Sequence, residues 1–250
     1  MNTKPAVLAP ACAAATVLLL SGCASAATVD EAEAQHRSFS PSSDVLTIAV
    51  GRGDLEVVPA EVDDIQVTRW VSGGAVVGPP RATWELNGET LSLQIHCGPR
   101  AGCDARYEVT VPEGTSLTVE GGSGDTTATG FAEPLEIGTD NGQVTVENVS
   151  GPLVLRSGNG GLRARGIVSP TLEAHTENGS IDVSFARAPD DVRVSTANGS
   201  ATVELPEAGY DVSSSSDNGE VVTDVEVVPG SGHVIAAETE NGDIRLVPAR

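Results

Sequence analysis

The sequence predicts an all-β chain: a single-stranded β-solenoid, helix-like in its winding, with coils of about 18–23 residues and an irregular β N-terminal cap. Three observations predict it. One short phrase recurs around Asn-Gly from residue 117 onward. Apolar and polar residues alternate on both sides of each copy, which is the period of a strand. No stretch of more than about ten residues carries helical periodicity.

The N-terminus reads as an address. Residues 1–4 carry one Lys, residues 6–20 are apolar apart from Pro10 and Thr16, and small residues follow. This is the pattern of a secretory signal, too short and too interrupted for a membrane span. Leu20-Ser21-Gly22-Cys23 resembles the lipobox of bacterial lipoproteins. The resemblance implies a signal peptide over 1–22, diacylglycerol on the Cys23 sulfur and anchoring to the cell membrane from outside. The alternative is an ordinary secreted protein with a chance cysteine. Residues 23–43 hold small and acidic residues with one large apolar group, Phe39, and read as a flexible tether.

Residues 44–250 read as one domain, with 44–112 its cap-like part and 113–250 its regular repeats. The cap-like part has irregular strands, both tryptophans (Trp70 and Trp84) and the pair Cys97 and Cys103. Cys12 lies in the signal and Cys23 is the expected lipid site, so an even pair remains in an exported chain, and a disulfide across Gly98-Pro99-Arg100-Ala101-Gly102 is expected. Zinc would need further ligands than the adjacent His96.

The repeat corners are Asn141-Gly142, Asn159-Gly160, Asn178-Gly179, Asn198-Gly199, Asn218-Gly219 and Asn241-Gly242, with Gly124 marking a degenerate first copy. Gaps between these glycines are 18, 18, 19, 20, 20 and 23 residues. Near-constant spacing marks stacked coils, none of which can bury its own apolar face alone. Asn and Gly both tolerate positive φ, which suits a sharp turn. The Thr or Ser two places before each Asn falls on the apolar phase and predicts an inward ladder of hydroxyls. The alternative is a twisted sheet built of hairpins, in which Thr139 would face Val144 across each Asn-Gly turn.

Residues 44–250 resemble the bacterial putative-adhesin family of unknown function, through Gly53-Asp54-Leu55, the segment from Tyr107 to Pro112, and the Asn-Gly phrases. The resemblance implies a β-solenoid on the cell surface and brings no catalytic residues.

Composition excludes several functions. Lys+Arg is 14 against 35 Asp+Glu, a formal charge of −21. Such a surface repels nucleic acid and anionic lipid head groups. Lys4 is the only lysine, so the mature chain has no residue for a P-loop clamp or a Schiff base. Arg52-Gly53-Asp54 spells an integrin-read tripeptide and reads as a turn. Asp140, Glu177, Asp217 and Glu240 precede corner asparagines and predict an acidic ridge, read as a solvated face rather than a Ca²⁺ site. No cofactor, metal site or catalytic residue is assigned.

The expected function is a lipid-anchored, non-enzymatic cell-surface scaffold, held to the membrane through Cys23 and contacting an envelope or cell-surface protein or polysaccharide. One alternative is a carbohydrate-active β-helix enzyme on envelope polysaccharide, for which Arg156, Arg163 and Arg165 form the basic cluster. A further alternative is an envelope sensor domain.

Overall fold

The computed structural model describes residues 28–73, 80–98 and 102–249. Cys23 and the segment 1–22, expected to be a signal peptide, lie outside them. The chain forms β1 (Gln35–Phe39), β2 (Val45–Arg52), β3 (Asp54–Ala60), β4 (Ile65–Gly73), β5 (Arg81–Asn87), β6 (Thr90–His96), β7 (Cys103–Pro112), β8 (Ser116–Ser123) and β9 (Thr126–Thr129). Then come β10 (Leu135–Asn141), β11 (Val144–Glu147), β12 (Leu153–Asn159), β13 (Leu162–Ile167), β14 (Thr171–Asn178), β15 (Ile181–Phe185), β16 (Asp191–Asn198) and β17 (Ala201–Leu205). The last are β18 (Gly209–Asn218), β19 (Val221–Thr223), β20 (Glu226–Val227), β21 (Val234–Asn241) and β22 (Ile244–Pro248).

Each coil gives one strand to each of two facing sheets. The first sheet runs β1-β4-β7-β3-β9-β11-β13-β15-β17-β22-β19, and the second β20-β18-β21-β16-β14-β12-β10-β8-β2-β6-β5. Repeat strands pair in parallel and in phase. Leu135 lies beside Leu117 and Leu153, and Thr139 beside Ser157. This pairing rejects the hairpin alternative, which required antiparallel partners across each Asn-Gly. Alternate residues turn inward, so Leu135, Ile137, Val144 and Val146 are buried in one core shared by both sheets.

Two expectations need correction, and the coil order is a finding of its own. Residues 23–43 are not all tether: β1 pairs antiparallel with β4, and Phe39 is buried. The one large apolar residue of the segment anchors it. The cap does not fill 44–112 either, because β2 and β3 form a true coil whose Leu46, Ile48 and Val50 lie beside Leu117, Val119 and Gly121. Nor do the coils stack in chain order. β21 inserts between β16 and β18, and β22 between β17 and β19. The outermost coil thus precedes in sequence the coil that lies inside it.

The N-terminal end is bridged by cation–aromatic contacts. The Arg69 guanidinium lies 3.8 Å from the Trp84 ring, and Arg37 donates to the Trp84 carbonyl at 3.0 Å. These contacts tie β1 and β4 of the first sheet to β5 of the second.

Candidate functional site

The repeat corners form three columns. The asparagine side chains bond from coil to coil: Asn159 Nδ2 donates to Asn141 Oδ1 at 3.1 Å, Asn178 to Asn159 at 3.0 Å, Asn198 to Asn178 at 3.1 Å, Asn241 to Asn198 at 3.1 Å and Asn218 to Asn241 at 3.2 Å. An amide suits this role because it offers a donor and an acceptor on one group. None of these asparagines has positive φ; among the described residues Asn148 alone of the non-glycines does. The turn expectation for Asn is therefore corrected: the residue is selected for its side chain.

The glycine column is set by close approach. A Cβ on Gly160 would strike the Gly142 carbonyl, one on Gly179 that of Gly160, and so on through Gly199, Gly242 and Gly219. Gly142 also takes φ of 133°, which side-chain-bearing residues rarely adopt. Arg52-Gly53-Asp54 is the same corner one coil earlier. Gly53 sits beneath Gly124, and the Asp54 carboxylate accepts from the Asp125 N–H at 2.8 Å.

The hydroxyl column points inward as expected, but its bonds differ. Thr176 donates to the Gly160 carbonyl at 3.0 Å, Thr196 to Gly179 at 2.9 Å, Thr239 to Gly199 at 3.1 Å and Ser216 to Gly242 at 2.9 Å. Only Thr139 reaches another hydroxyl, that of Ser157, at 3.4 Å. The glycine carbonyl of the neighbouring coil is the better acceptor and lies nearer.

On the outer face of the second sheet, Gly138 sits in a row with Glu120, Arg156 and His175. The missing side chains at Gly122, Gly138 and Gly158 leave an open depression of about 550 Å³, edged by Glu120, Asp140, Arg156, His175 and Glu177. Arg156 reaches across coils to Glu136 at 2.5 Å and Glu173 at 2.8 Å. His175 Nδ1 lies 2.8 Å from the Ser195 hydroxyl. Two carboxylates thus neutralise the one cation of the depression.

The expected basic cluster does not form. Arg156 is in β12 of the second sheet, whereas Arg163 and Arg165 are in β13 of the first, on the opposite outer face. Alternation within one coil carries the two strands to opposite sides. The acidic ridge is broken as well: Gly158 separates Asp140 from Glu177, Ala197 separates Glu177 from Glu240, and only Glu240 and Asp217 come from adjacent coils. Among the described residues no three His, Cys, Asp or Glu side chains group as a metal site. Cys97 and Cys103 are joined by a disulfide, Cα to Cα 5.9 Å. Among the described residues no helix is long and apolar enough to cross a membrane.

The Arg156 ion triad and the Arg69–Trp84 bridge were missed in the sequence. The triad did leave a signal. Glu136, Arg156 and Glu173 are separated by about one coil length, which in-phase parallel stacking converts into neighbours.

A family model described as Toastrack DUF4097 matches residues 43–247. The chain belongs to the Toastrack DUF4097 family. No curated protein matches it. Among solved structures, this Toastrack chain is similar in fold to a putative adhesin from Bacteroides fragilis NCTC 9343, at 15% identity and a TM-score of 0.54, covering 86% of this chain and 97% of that one. A putative cell adhesion protein from Clostridium sporogenes ATCC 15579 matches at 16% identity and a TM-score of 0.41, covering 87% and 99%. At these identities the similarity concerns the fold alone.

Proposed function

We propose that this Toastrack chain is a lipid-anchored, non-enzymatic scaffold on the outside of the cell membrane, offering its stacked coils to envelope or cell-surface partners. The observation that carries the reading is the outer face of the second sheet. Its depression is open, and its single arginine is already spent on Glu136 and Glu173. The alternative enzyme reading gathers Arg156, Arg163 and Arg165 beside converging acids, and Arg163 and Arg165 stand on the other face. The lipobox residues Leu20-Ser21-Gly22-Cys23 supply the anchor in this reading. Surface adhesion is also what the name of the Bacteroides protein suggests.

The test is placement followed by capture. Cells given radioactive palmitate should label the wild-type chain and not Cys23→Ala, and the variant should leave the membrane fraction. Cross-linking on intact envelopes should then recover a surface protein or polysaccharide. Retention of unlabelled Cys23→Ala on the membrane would overturn the anchor. Cleavage of envelope polysaccharide by the purified chain would overturn the non-enzymatic reading.

A further inference from the structure

We propose that the open C-terminal coil is a docking edge for a basic, extended segment of a partner protein, which adds to it as the next strand. The inference deepens the scaffold reading by assigning it a contact surface and a class of partner.

The two ends of the stack differ. At the N-terminal end Arg37, Arg69 and Trp84 bridge the sheets. At the other end the outermost coil is β18 and β19. β20 covers only Gly209 and Tyr210 of β18, and β19 has β22 as its sole neighbour. On its outer side the rest of that coil has no strand beside it among the described residues.

The orientation of its backbone follows from the ladder. The Asp211 N–H donates to the His233 carbonyl, so Asp211 faces β21. Backbone groups alternate sides along a strand, hence Ser214 and Ser216 turn their N–H and C=O toward the open side. In the other sheet the Ile244 N–H donates to Glu220 and the Asp224 N–H to Leu246, which leaves Val221 and Thr223 facing outward. Among the described residues both sheets therefore end in unpaired donors and acceptors, the template that strand addition uses.

Charge selects the occupant. Residues 206–232 contain Glu207, Asp211, Asp217, Glu220, Asp224 and Glu226, with no Lys or Arg. Exposed Val221, Val227 and Val228 add apolar contact. A strand of Lys or Arg alternating with aliphatic residues matches both features. Two copies joined through these ends would bring like charges together, which disfavours self-pairing. The position also suits a partner in solution. Residue 28 lies by the bridged end, where Asp30 pairs with Arg106 at 3.3 Å, so the open coil is the end farther from an anchor at Cys23.

The test uses the full chain in detergent and a short fluorescein-labelled peptide of alternating Lys and Val. Fluorescence anisotropy should show binding that weakens with salt, and hydrogen exchange should slow at the Ser214 and Ser216 amides. Ser214→Pro removes an N–H that bonds no neighbour strand and should weaken binding roughly tenfold or more. The same peptide N-methylated at alternate residues keeps its charge, so its loss of binding isolates the hydrogen bonds without altering the protein. Binding that survives both changes would reduce the effect to adsorption on an acidic surface and overturn the proposal. So would no binding, or self-association of the chain blocked by Ser214→Pro. These readouts do not depend on lipid, so a failed anchor and a failed docking edge are distinguishable.

Discussion

The Thr176 hydroxyl donates to the Gly160 carbonyl at 3.0 Å, and that same carbonyl stands where a Cβ on Gly179 would have to go. One oxygen thus explains two columns of the repeat. It needs a donor from the next coil, and it leaves no room for a side chain at the next corner.

A methyl group in the glycine column should therefore cost far more than one on a loop. Gly160→Ala drives Cβ into the Gly142 carbonyl, backbone that cannot swing aside. The expected loss is about 1–3 kcal/mol or more in urea unfolding. Gly232→Ala meets nothing within 4 Å and should change stability by less than about 0.5 kcal/mol. Equal effects at the two sites would show that the column is not packed as described.

The hydroxyl column yields a graded series. Thr176 is fully buried, and Thr176→Val leaves the Gly160 carbonyl without its side-chain donor. The cost should be about 1–2 kcal/mol. Thr139 makes only a 3.4 Å contact with Ser157, so Thr139→Val should cost clearly less. Urea midpoints of the two variants, measured side by side, check the order.

These columns bear on what the sequence could reveal. Alternation and the Asn-Gly spacing define the coil, its two strands and the inward residues, because burial follows parity along each strand. Coil order is another matter. Every copy offers the same asparagine, glycine and hydroxyl to a neighbour, so the pattern does not distinguish which coil lies next to which. The clue is Ser213-Ser214-Ser215-Ser216. Inward Ser214 stands beside Ala237, in the row that holds Ile137, Leu155 and Val194, and only an end coil tolerates so polar an interior. The depression around Gly138 was equally hidden, since Glu120, Arg156 and His175 meet only once the in-phase register is known.

Tyr107 gives a pH dependence. Its ring is fully buried and its hydroxyl has no partner among the described residues, and burial pushes its pKa up to about 12, with neighbouring Arg69 pulling the other way. Above pH 10 the unfolded chain ionises this phenol while the folded chain retains the proton. Stability from this group is thus complete below pH 10 and declines as pH rises toward about 12. Tyr107→Phe removes an unpaired hydroxyl, so it should be neutral or stabilising at pH 7. It should also lose less stability than wild type between pH 10 and 12 in parallel urea titrations. A steeper decline in the variant would contradict the assignment.

The disulfide should act on the cap more than on the stack. Cys97 directly follows β6 in the second sheet, and Cys103 opens β7 in the first. The bond therefore ties the two sheets at the N-terminal end, across a loop of five residues between the cysteines. So short a loop restricts the unfolded chain modestly, and the Cys97→Ser, Cys103→Ser double variant should lose about 2 kcal/mol. Trp70 and Trp84 lie in β4 and β5 of the same cap, under the Arg106 and Arg69 guanidinium groups. Their fluorescence should shift at lower urea in the double variant than the circular dichroism of the sheets does. Coincident transitions at an unchanged midpoint would mean that the bond contributes nothing to holding the cap. A coincident fall of both would mean that cap and coils unfold as one unit, with the disulfide stabilising the whole stack.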